Sequence, residues 1–410
     1  MTSSRIPLYR VKGTHYECAY TIGTLTREKI QHRIADDLAE LSVLFKFIQT
    51  EYGLRLHRNF IETIRSLYPW YWDEICGIAD GSGIPLEQLL VLNFLNETRT
   101  AYKLLEEAQQ LDLRSEKFLN ENGEKGCTTV LLNRKDTNTF SLLHNEDHAA
   151  ALYFTGYVVE ADIQSSEYDD GKRQSPNEKF IAYCYAGVIP GNAFGANRHG
   201  FAFSLNGLYP DCVGHCRLPR QVVNRALLSV QDEEDLDKLL RMSPVAFGFC
   251  INGAFYRQQN HLLNYEIGPN LKIDNENYIS KCLIINDDHK INQRDDECEI
   301  VLNYLVHYNH YERLNKVIIE QKPLKSTYSR GKRGQELGEL FTSNDAINLL
   351  GDNENEAFPI FLVLNKTEAD SVTLCTAHFD FYTLQLSIYQ HNPKDNNQPS
   401  FIYNLTDLFN

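Results

Sequence analysis

The sequence predicts an α+β chain: a layered sandwich of antiparallel sheets behind a helical N-terminal third. Helical periodicity is confined to the first third, β-rich runs begin abruptly at Gly126-Cys127, and strand pairs then alternate with helices. Ile30, Ile34, Leu38, Leu41, Phe45 and Ile48 recur at intervals of three and four and line one helix face. Phe60, Ile64 and Leu67 repeat the step until Pro69 breaks it. Glu74 to Asp80 reads as a short helix ended by Gly81-Ser-Gly83, and Pro85 opens the next, through Leu95. Residues 103–125 turn polar and lose their period, which marks an exposed, flexible segment.

Beyond that segment, Thr128 to Asn133 and Phe140 to His144 flank the turn Lys135-Asp-Thr-Asn138 as a hairpin. Strands are expected over 152–162, 179–186 and 200–206, with tight turns at Pro190-Gly191 and His199-Gly200. Arg220 to Met242 reads as helix, 246–267 as paired strands, 298–318 as helix and 370–390 as a closing hairpin. The chain shows no internal repeat and no low-complexity tract.

Composition narrows the function classes. With 410 residues, 42% of them hydrophobic and 23% charged, the chain can bury a sizeable core. Its net charge of −15, from 40 basic and 55 acidic residues, argues against a nucleic-acid backbone or an anionic membrane as partner. That charge mildly favours cationic small molecules. The N-terminus has no apolar run or small-residue cleavage site, and no window approaches the ~18 apolar residues of a membrane span. Ten cysteines without repeated spacing then read as reduced thiols, and a cytosolic protein is expected. The sequons at Asn96, Asn365 and Asn404 carry little weight in that setting.

Several motifs fall away quickly. His144 and His148 lack a His-Glu-x-x-His signature, and Cys212 and Cys216 form a CxxxC without a second pair. The acidic runs Asp287-Asp288 and Asp295-Asp296-Glu297 lack the alternation and glycine of a calcium loop. No phosphate-binding glycine motif is present, so neither metal nor organic cofactor is expected. Gly126-Cys127-Thr128-Thr129 differs by its position, where a polar segment meets the first strand of a sheet. Cut at 126–127, the chain would present Cys127 with both a thiol and an α-amine, whose pKa of roughly 8 suits a base for its own side chain. The same four residues also fit a buried cysteine that begins a strand.

The order of short motifs around this point decides between the two. Gly13-Thr-His-Tyr-Glu17, Gly77-Ile-Ala-Asp-Gly81, Gly126-Cys127-Thr and His144-Asn-Glu-Asp147 are followed by Tyr185-Ala-Gly187, Pro190-Gly191, Gly195-Ala-Asn197 with Gly200, Leu205-Asn206 and Ser329-Arg330. This series, from about Tyr9 to Pro393, resembles the N-terminal-nucleophile hydrolases of the isopenicillin-N acyltransferase family, and within it the β-alanyl-amine hydrolases. The resemblance implies a four-layer αββα sandwich and self-cleavage before Cys127, dividing the chain into a helical segment (1–126) and a catalytic portion (127–410). It also implies hydrolysis of small N-acyl, β-alanyl, amines, with the two processed chains remaining together. An acyltransferase that passes the acyl group to an amine, or an unprocessed binder, would be the alternatives.

Carried over by motif, Cys127 is the nucleophile, Asp147 the catalytic aspartate and Arg330 a permanently charged anchor paired with Ser329. Arg333 competes for the anchor's place. Asn206 and Asn252 match asparagines that would hold the oxyanion, although Gly253 and Ala254 depart from the aromatic that usually follows the second. Asn145, Glu146 and Ser329 are expected to bind substrate, with Glu146 standing where the penicillin-forming enzyme has an aromatic and suited to a β-alanyl ammonium. Strand alternation forbids Glu146 and Asp147 from both facing Cys127 while the strand continues. Asn309-His310 also resembles a family motif, without an assigned step.

Overall fold

The computed structural model describes residues 6–108, 126–169, 171–258, 261–271, 277–287, 298–320, 325–364 and 371–409. Most of the polar segment before Gly126 and the acidic run after Asp287 therefore lie outside the described residues. The chain enters on a strand, β1 (Leu8–Gly13), which the helical reading of the first third misses. Thr14 then caps α1 (His15–Asp36) through a capping box with Glu17. α2 (Leu38–Phe47), α3 (Glu51–Leu67), α4 (Pro69–Ser82), α5 (Leu86–Asn93) and α6 (Leu95–Glu107) complete the helical third. The expected apolar stripe is broken at Asp37, where α1 ends and α2 begins, and Leu38 is exposed. Gly81 lies inside α4 instead of ending it. A Cβ there would come within 2.0 Å of the Tyr20 carbonyl oxygen, so only glycine lets α1 and α4 pack this closely.

β2 (Thr128–Arg134) and β3 (Thr139–Ala149) form the expected hairpin, with β3 running five residues beyond His144. A 3₁₀ turn at Ala150–Leu152 replaces the start of the next expected strand, β4 (Tyr157–Ile163). β5 (Glu167–Tyr168) and β6 (Arg173–Gln174) make a small ribbon, and β7 (Glu178–Cys184), β8 (Phe194–Asn197) and β9 (Phe201–Gly207) follow. The expected helix over 220–242 divides into α7 (Arg220–Ala226) and α8 (Glu233–Met242), because Asp232 accepts from the Asp235 amide and starts a new helix. Next come β10 (Phe249–Phe255), β11 (Leu262–Gly268) and β12 (Tyr278–Ile285).

The helix expected over 298–318 is absent. Its place is taken by β13 (Cys298–Leu302) and β14 (Tyr304–His307), joined at Asn303 with a φ of 68°. That left-handed residue lets the chain leave one sheet and enter the other. The run Ile300-Val-Leu-Asn-Tyr-Leu-Val306 is apolar at odd and even positions alike, so its period does not reveal a strand. α9 (Lys325–Leu337), α10 (Ser343–Leu350), β15 (Ser371–Asp380), β16 (Gln385–Tyr389) and β17 (Phe401–Asn404) close the chain.

Nine strands form one sheet in the order β1-β4-β7-β8-β9-β10-β11-β12-β13, and six form another in the order β14-β2-β3-β15-β16-β17. The six-stranded sheet is antiparallel throughout. The nine-stranded one has parallel pairs at both ends, β1 with β4 and β12 with β13, which corrects the expectation of purely antiparallel sheets. Between the sheets, Leu131, Phe140 and Leu142 of the hairpin meet Phe194 and Phe203, with Phe194 edge-on to Phe379 at 6.1 Å. The other face of the hairpin, with Val130, Leu132 and Leu143, packs on Ala346, Leu349 and Leu350 of α10. α1 packs on β1 and β4 of the larger sheet, and α8 bonds β11 and β12 through Asp237. The result is the expected four-layer αββα sandwich. Among the described residues, no helix is long and apolar enough to cross a membrane.

One buried ionic cluster ties the helical third to the sheet. Glu74 of α4 receives His15 Nδ1 at 2.7 Å and Arg225 Nη2 at 2.6 Å, and Arg225 also pairs with Glu178 of β7. All four side chains are buried, and the guanidinium lies between the rings of Tyr71 and Phe180 at 4.7 Å from each. Removing one member of such a cluster strands the others without solvent. Arg225→Met is expected to lower the unfolding free energy by about 3–5 kcal/mol in urea titration. A loss below ~1 kcal/mol would show that the cluster does not hold these layers.

Candidate active site

Cys127 sits just before β2, at the mouth of the inner hairpin, and its side chain is 7% exposed. The alternation of β2 and β3 sorts its neighbours. Thr129 and His144 pair across the hairpin and face the larger sheet, whereas Thr128 and Asn145 pair and face α9 and α10. Glu146 falls on the Cys127 side. Its Oε1 lies 3.7 Å from Cys127 Sγ and accepts from the Tyr185 hydroxyl, and its Oε2 is 2.9 Å from His144 Nε2.

The main-chain carbonyl of Cys127 is clamped from two layers. Asn206 Nδ2 of β9 donates to it at 3.0 Å and Arg330 Nη1 of α9 at 3.1 Å. Arg330, itself buried, also donates to Thr128 Oγ1 at 2.8 Å and Asn309 Oδ1 at 2.9 Å, while Ser326 and Thr327 hold it from one turn back on α9. Gly126 passes through the same clamp. A Cβ at that position would lie 2.1 Å from Asn309 Oδ1 and 2.4 Å from Arg330 Nη2, so no larger residue fits before the cysteine.

Other expected residues fall differently. Asn252 does not reach Cys127; its Nδ2 donates to Asn206 Oδ1 at 2.7 Å, which puts the two asparagines in series. Asn145, expected at the substrate, points the other way and bonds the carbonyls of Leu350 and Ile360 and the Thr376 hydroxyl. It fastens the outer helix layer to the sheet. Ser329 is half-buried beside Arg330, and the hydroxyls on the guanidinium are those of Ser326 and Thr327 instead. Arg333 pairs with Asp352 at 2.8 Å and is no rival to Arg330. His144, Thr129, Tyr185 and Asn309 line the site without having been assigned to it. Periodic spacing along β2 and β3 from Cys127 identifies the first two, and Tyr185 opens the motif Tyr185-Ala-Gly187, which the sequence left without a role.

Asp147 is buried, with Oδ1 accepting from Thr373 at 2.6 Å and Oδ2 lacking any partner. Burial pushes its carboxyl up to about 7, against the pull of Thr373 and Arg330. Burial, joined by the charges of Glu146 and Asp147, also drives the Cys127 thiol well above the ordinary thiol range. The resting thiol is therefore protonated and needs a base at hand. Cys127, His144 and Glu146 could together present one sulfur, one nitrogen and one oxygen to a metal ion, and His15, Glu74 and Glu178 one nitrogen and two oxygens in the ionic cluster, where Arg225 already pairs with both carboxylates.

A buried cysteine thus follows a clamped glycine inside an αββα sandwich, with a carboxylate oxygen and an amide donor beside it. Residues 132–395 match the acyl-coenzyme A:6-aminopenicillanic acid acyl-transferase family, and the chain belongs to it. Over 393 residues it is 24% identical to a beta-alanyl-dopamine/carcinine hydrolase of Drosophila melanogaster, spanning 95% of this chain and 94% of that protein. Among solved structures it is similar to a mutant of the conjugated bile acid hydrolase from Clostridium perfringens, with a TM-score of 0.41 and 9% identity over 69% of this chain and 94% of that one. It is also similar to a Caenorhabditis elegans ortholog of N-acylethanolamine-hydrolyzing acid amidase, with a TM-score of 0.35 and 12% identity over 62% and 93%.

The raised Asp147 carboxyl has a stability consequence with a definite sign. The folded chain binds this proton more tightly than the unfolded chain does, so Asp147 makes stability fall as pH rises from about 4 to 7. In uncut Cys127→Ala protein, adding Asp147→Asn should reduce that fall by on the order of a few kcal/mol in urea midpoints taken at pH 4.5 and 7.5. An unchanged pH dependence would mean that Asp147 is not titrating in this range.

Proposed function

We propose that the chain cuts itself between Gly126 and Cys127 and then hydrolyses N-β-alanyl amines, using Cys127 as nucleophile in both reactions. The observation that carries this reading is the Cys127 junction itself. The thiol lies 3.7 Å from a carboxylate oxygen, its own carbonyl is held by Asn206 and Arg330, and the preceding residue is a glycine packed against that arginine.

Before the cut, Cys127 has an amide nitrogen and no amine, so another group must take the thiol proton. Glu146 Oε1 is placed to do so, backed through its second oxygen by His144. Both oxygens are thus engaged in the uncut chain, and this replaces the expected role of Glu146 as an ammonium anchor. Sγ bonds to the Gly126 carbonyl carbon, the Gly126–Cys127 C–N bond breaks, and the leaving nitrogen takes the proton to become the α-amine. Water then cleaves the thioester, releasing Gly126 as a carboxylate and restoring the thiol. The Oδ2 of Asp147, unpartnered among the described residues, is open to accept a hydrogen bond from the new amine.

In the mature enzyme the α-amine takes the thiol proton and Sγ attacks the substrate's acyl carbonyl. One amide hydrogen of Asn206 stays on the Cys127 carbonyl. The other makes only a 3.5 Å contact with the His307 carbonyl and is the donor open to the oxyanion. The amine leaves with the proton, and water hydrolyses the acyl-thioenzyme. The β-alanyl acyl class rests on the similarity to the Drosophila protein, and the family's name favours a second outcome in which an amine, not water, takes the acyl group. The two processed chains stay together, supported by the buried cluster of Glu74 and His15 with Arg225 and Glu178. A cytosolic location belongs to the same reading, supported by ten cysteines that stand as thiols.

Mass spectrometry of purified protein should find two chains, one ending at Gly126 and one starting at Cys127. Cys127→Ala should remain whole, and Glu146→Gln should be cut at least about tenfold more slowly. The same two chains from Cys127→Ala would assign the cut to a foreign protease. Incubated with β-alanyl and uncharged acyl amines side by side, the mature enzyme should release amine from the β-alanyl substrates in preference. Equal rates on both would remove the β-alanyl assignment.

A further inference from the structure

Asn206 is the last link of a one-way chain of hydrogen-bond donors that crosses the larger sheet. Arg313, which can only donate, reaches Asn264 Oδ1. That contact turns Asn264 Nδ2 toward Asn252 Oδ1, to which it donates at 2.7 Å. Asn252 Nδ2 in turn donates to Asn206 Oδ1 at 2.7 Å, which leaves Asn206 Nδ2 facing the Cys127 carbonyl. The three asparagines sit on the adjacent strands β9, β10 and β11, on one face, and all three are wholly buried. An asparagine side chain is nearly symmetric in shape. Flipping any one of them would set acceptor against acceptor, with no solvent to relieve it.

Thr129 joins the chain from the other sheet. Its hydroxyl donates to Asn206 Oδ1 at 2.9 Å and lies 2.7 Å from His144 Nδ1. The other ring nitrogen, His144 Nε2, lies 2.9 Å from Glu146 Oε2. Arg313 is itself held by Ser280 at 2.7 Å and faces Glu266 and Glu299 at 3.8 and 3.9 Å.

We propose that Arg313 and Asn264 are positioning residues of this enzyme, which orient and polarise the Asn206 amide toward the reacting carbonyl without touching substrate. The proposal rests on the reading of Asn206 as a donor at the nucleophile. Asn264→Asp tests it. Aspartate keeps the shape and the Arg313 contact but cannot donate to Asn252 when ionised, so a merely structural role predicts little change. With N-β-alanyl-dopamine as probe, and kcat normalised to the fraction of chains starting at Cys127, kcat should fall about tenfold with KM unchanged. Asn206→Leu is run beside it and should lose about a hundredfold or more.

Loss in Asn206→Leu with none in Asn264→Asp overturns the donor chain alone. Loss in neither overturns both it and the assignment of Asn206. Should Asn264→Asp fail to fold, Arg313→Lys and Arg313→Met give the answer. Lysine still donates and should keep kcat within about threefold, whereas methionine should lose about tenfold. Equal losses in the two would overturn the proposal.

Discussion

The site is organised around one atom, the carbonyl oxygen of Cys127. Asn206 reaches it from the nine-stranded sheet and Arg330 from α9, so elements on both sides of the hairpin converge on a residue that begins the hairpin's first strand. Two donors, one of them a guanidinium, fix this peptide far more firmly than a free strand end would be fixed. The thiol is thereby aimed, and the glycine before it is pressed against the same guanidinium. A constraint of this kind requires the layers to be in register, which explains why polar side chains interrupt an otherwise apolar space between the sheets. Thr129, His144, Ser204 and Asn206 are all wholly buried there, and each has partners.

The α+β class, the hairpin and the helical third are legible because their signals are local. Alternation, a turn cluster and three-four spacing all survive in a single sequence. What escapes is set by distant partners. β1 joins its sheet only through a parallel pairing with β4, and nothing near Leu8 announces it. β13 and β14 are apolar on both faces, and their division between two sheets depends on the backbone of Asn303.

The site divides in the same way. Cys127, Asn206 and Arg330 stand together as the motif order implies. Asn145 stands beside Glu146 in sequence yet serves the opposite face, because β3 continues as a regular strand through the whole of Asn145-Glu-Asp147. The alternation rule anticipated that Glu146 and Asp147 would part company. It could not say that Tyr185, a residue of the other sheet's loops, would occupy the Glu146 oxygen. Asn264 and Arg313 carry no motif at all. Asn264 takes its place from the pairing of β10 with β11, and Arg313 comes from beyond β14, which no spacing along the chain encodes.

The cluster of His15, Glu74, Arg225 and Glu178 bears on how such an enzyme could be assembled. Its members come from both sides of Gly126, and Glu74 and Arg225 pair across that divide. Two separately made fragments would each have to fold with one member of the Glu74–Arg225 pair short of that partner at their surface of contact, then desolvate it on meeting. The uncut polypeptide faces no such step, because the pairs form while the core closes. Cut as proposed, the molecule would work as a ratchet: the covalent link would be needed to reach the native arrangement and dispensable once there. A two-chain product would persist through its barrier to separation, with no easy path back from its parts.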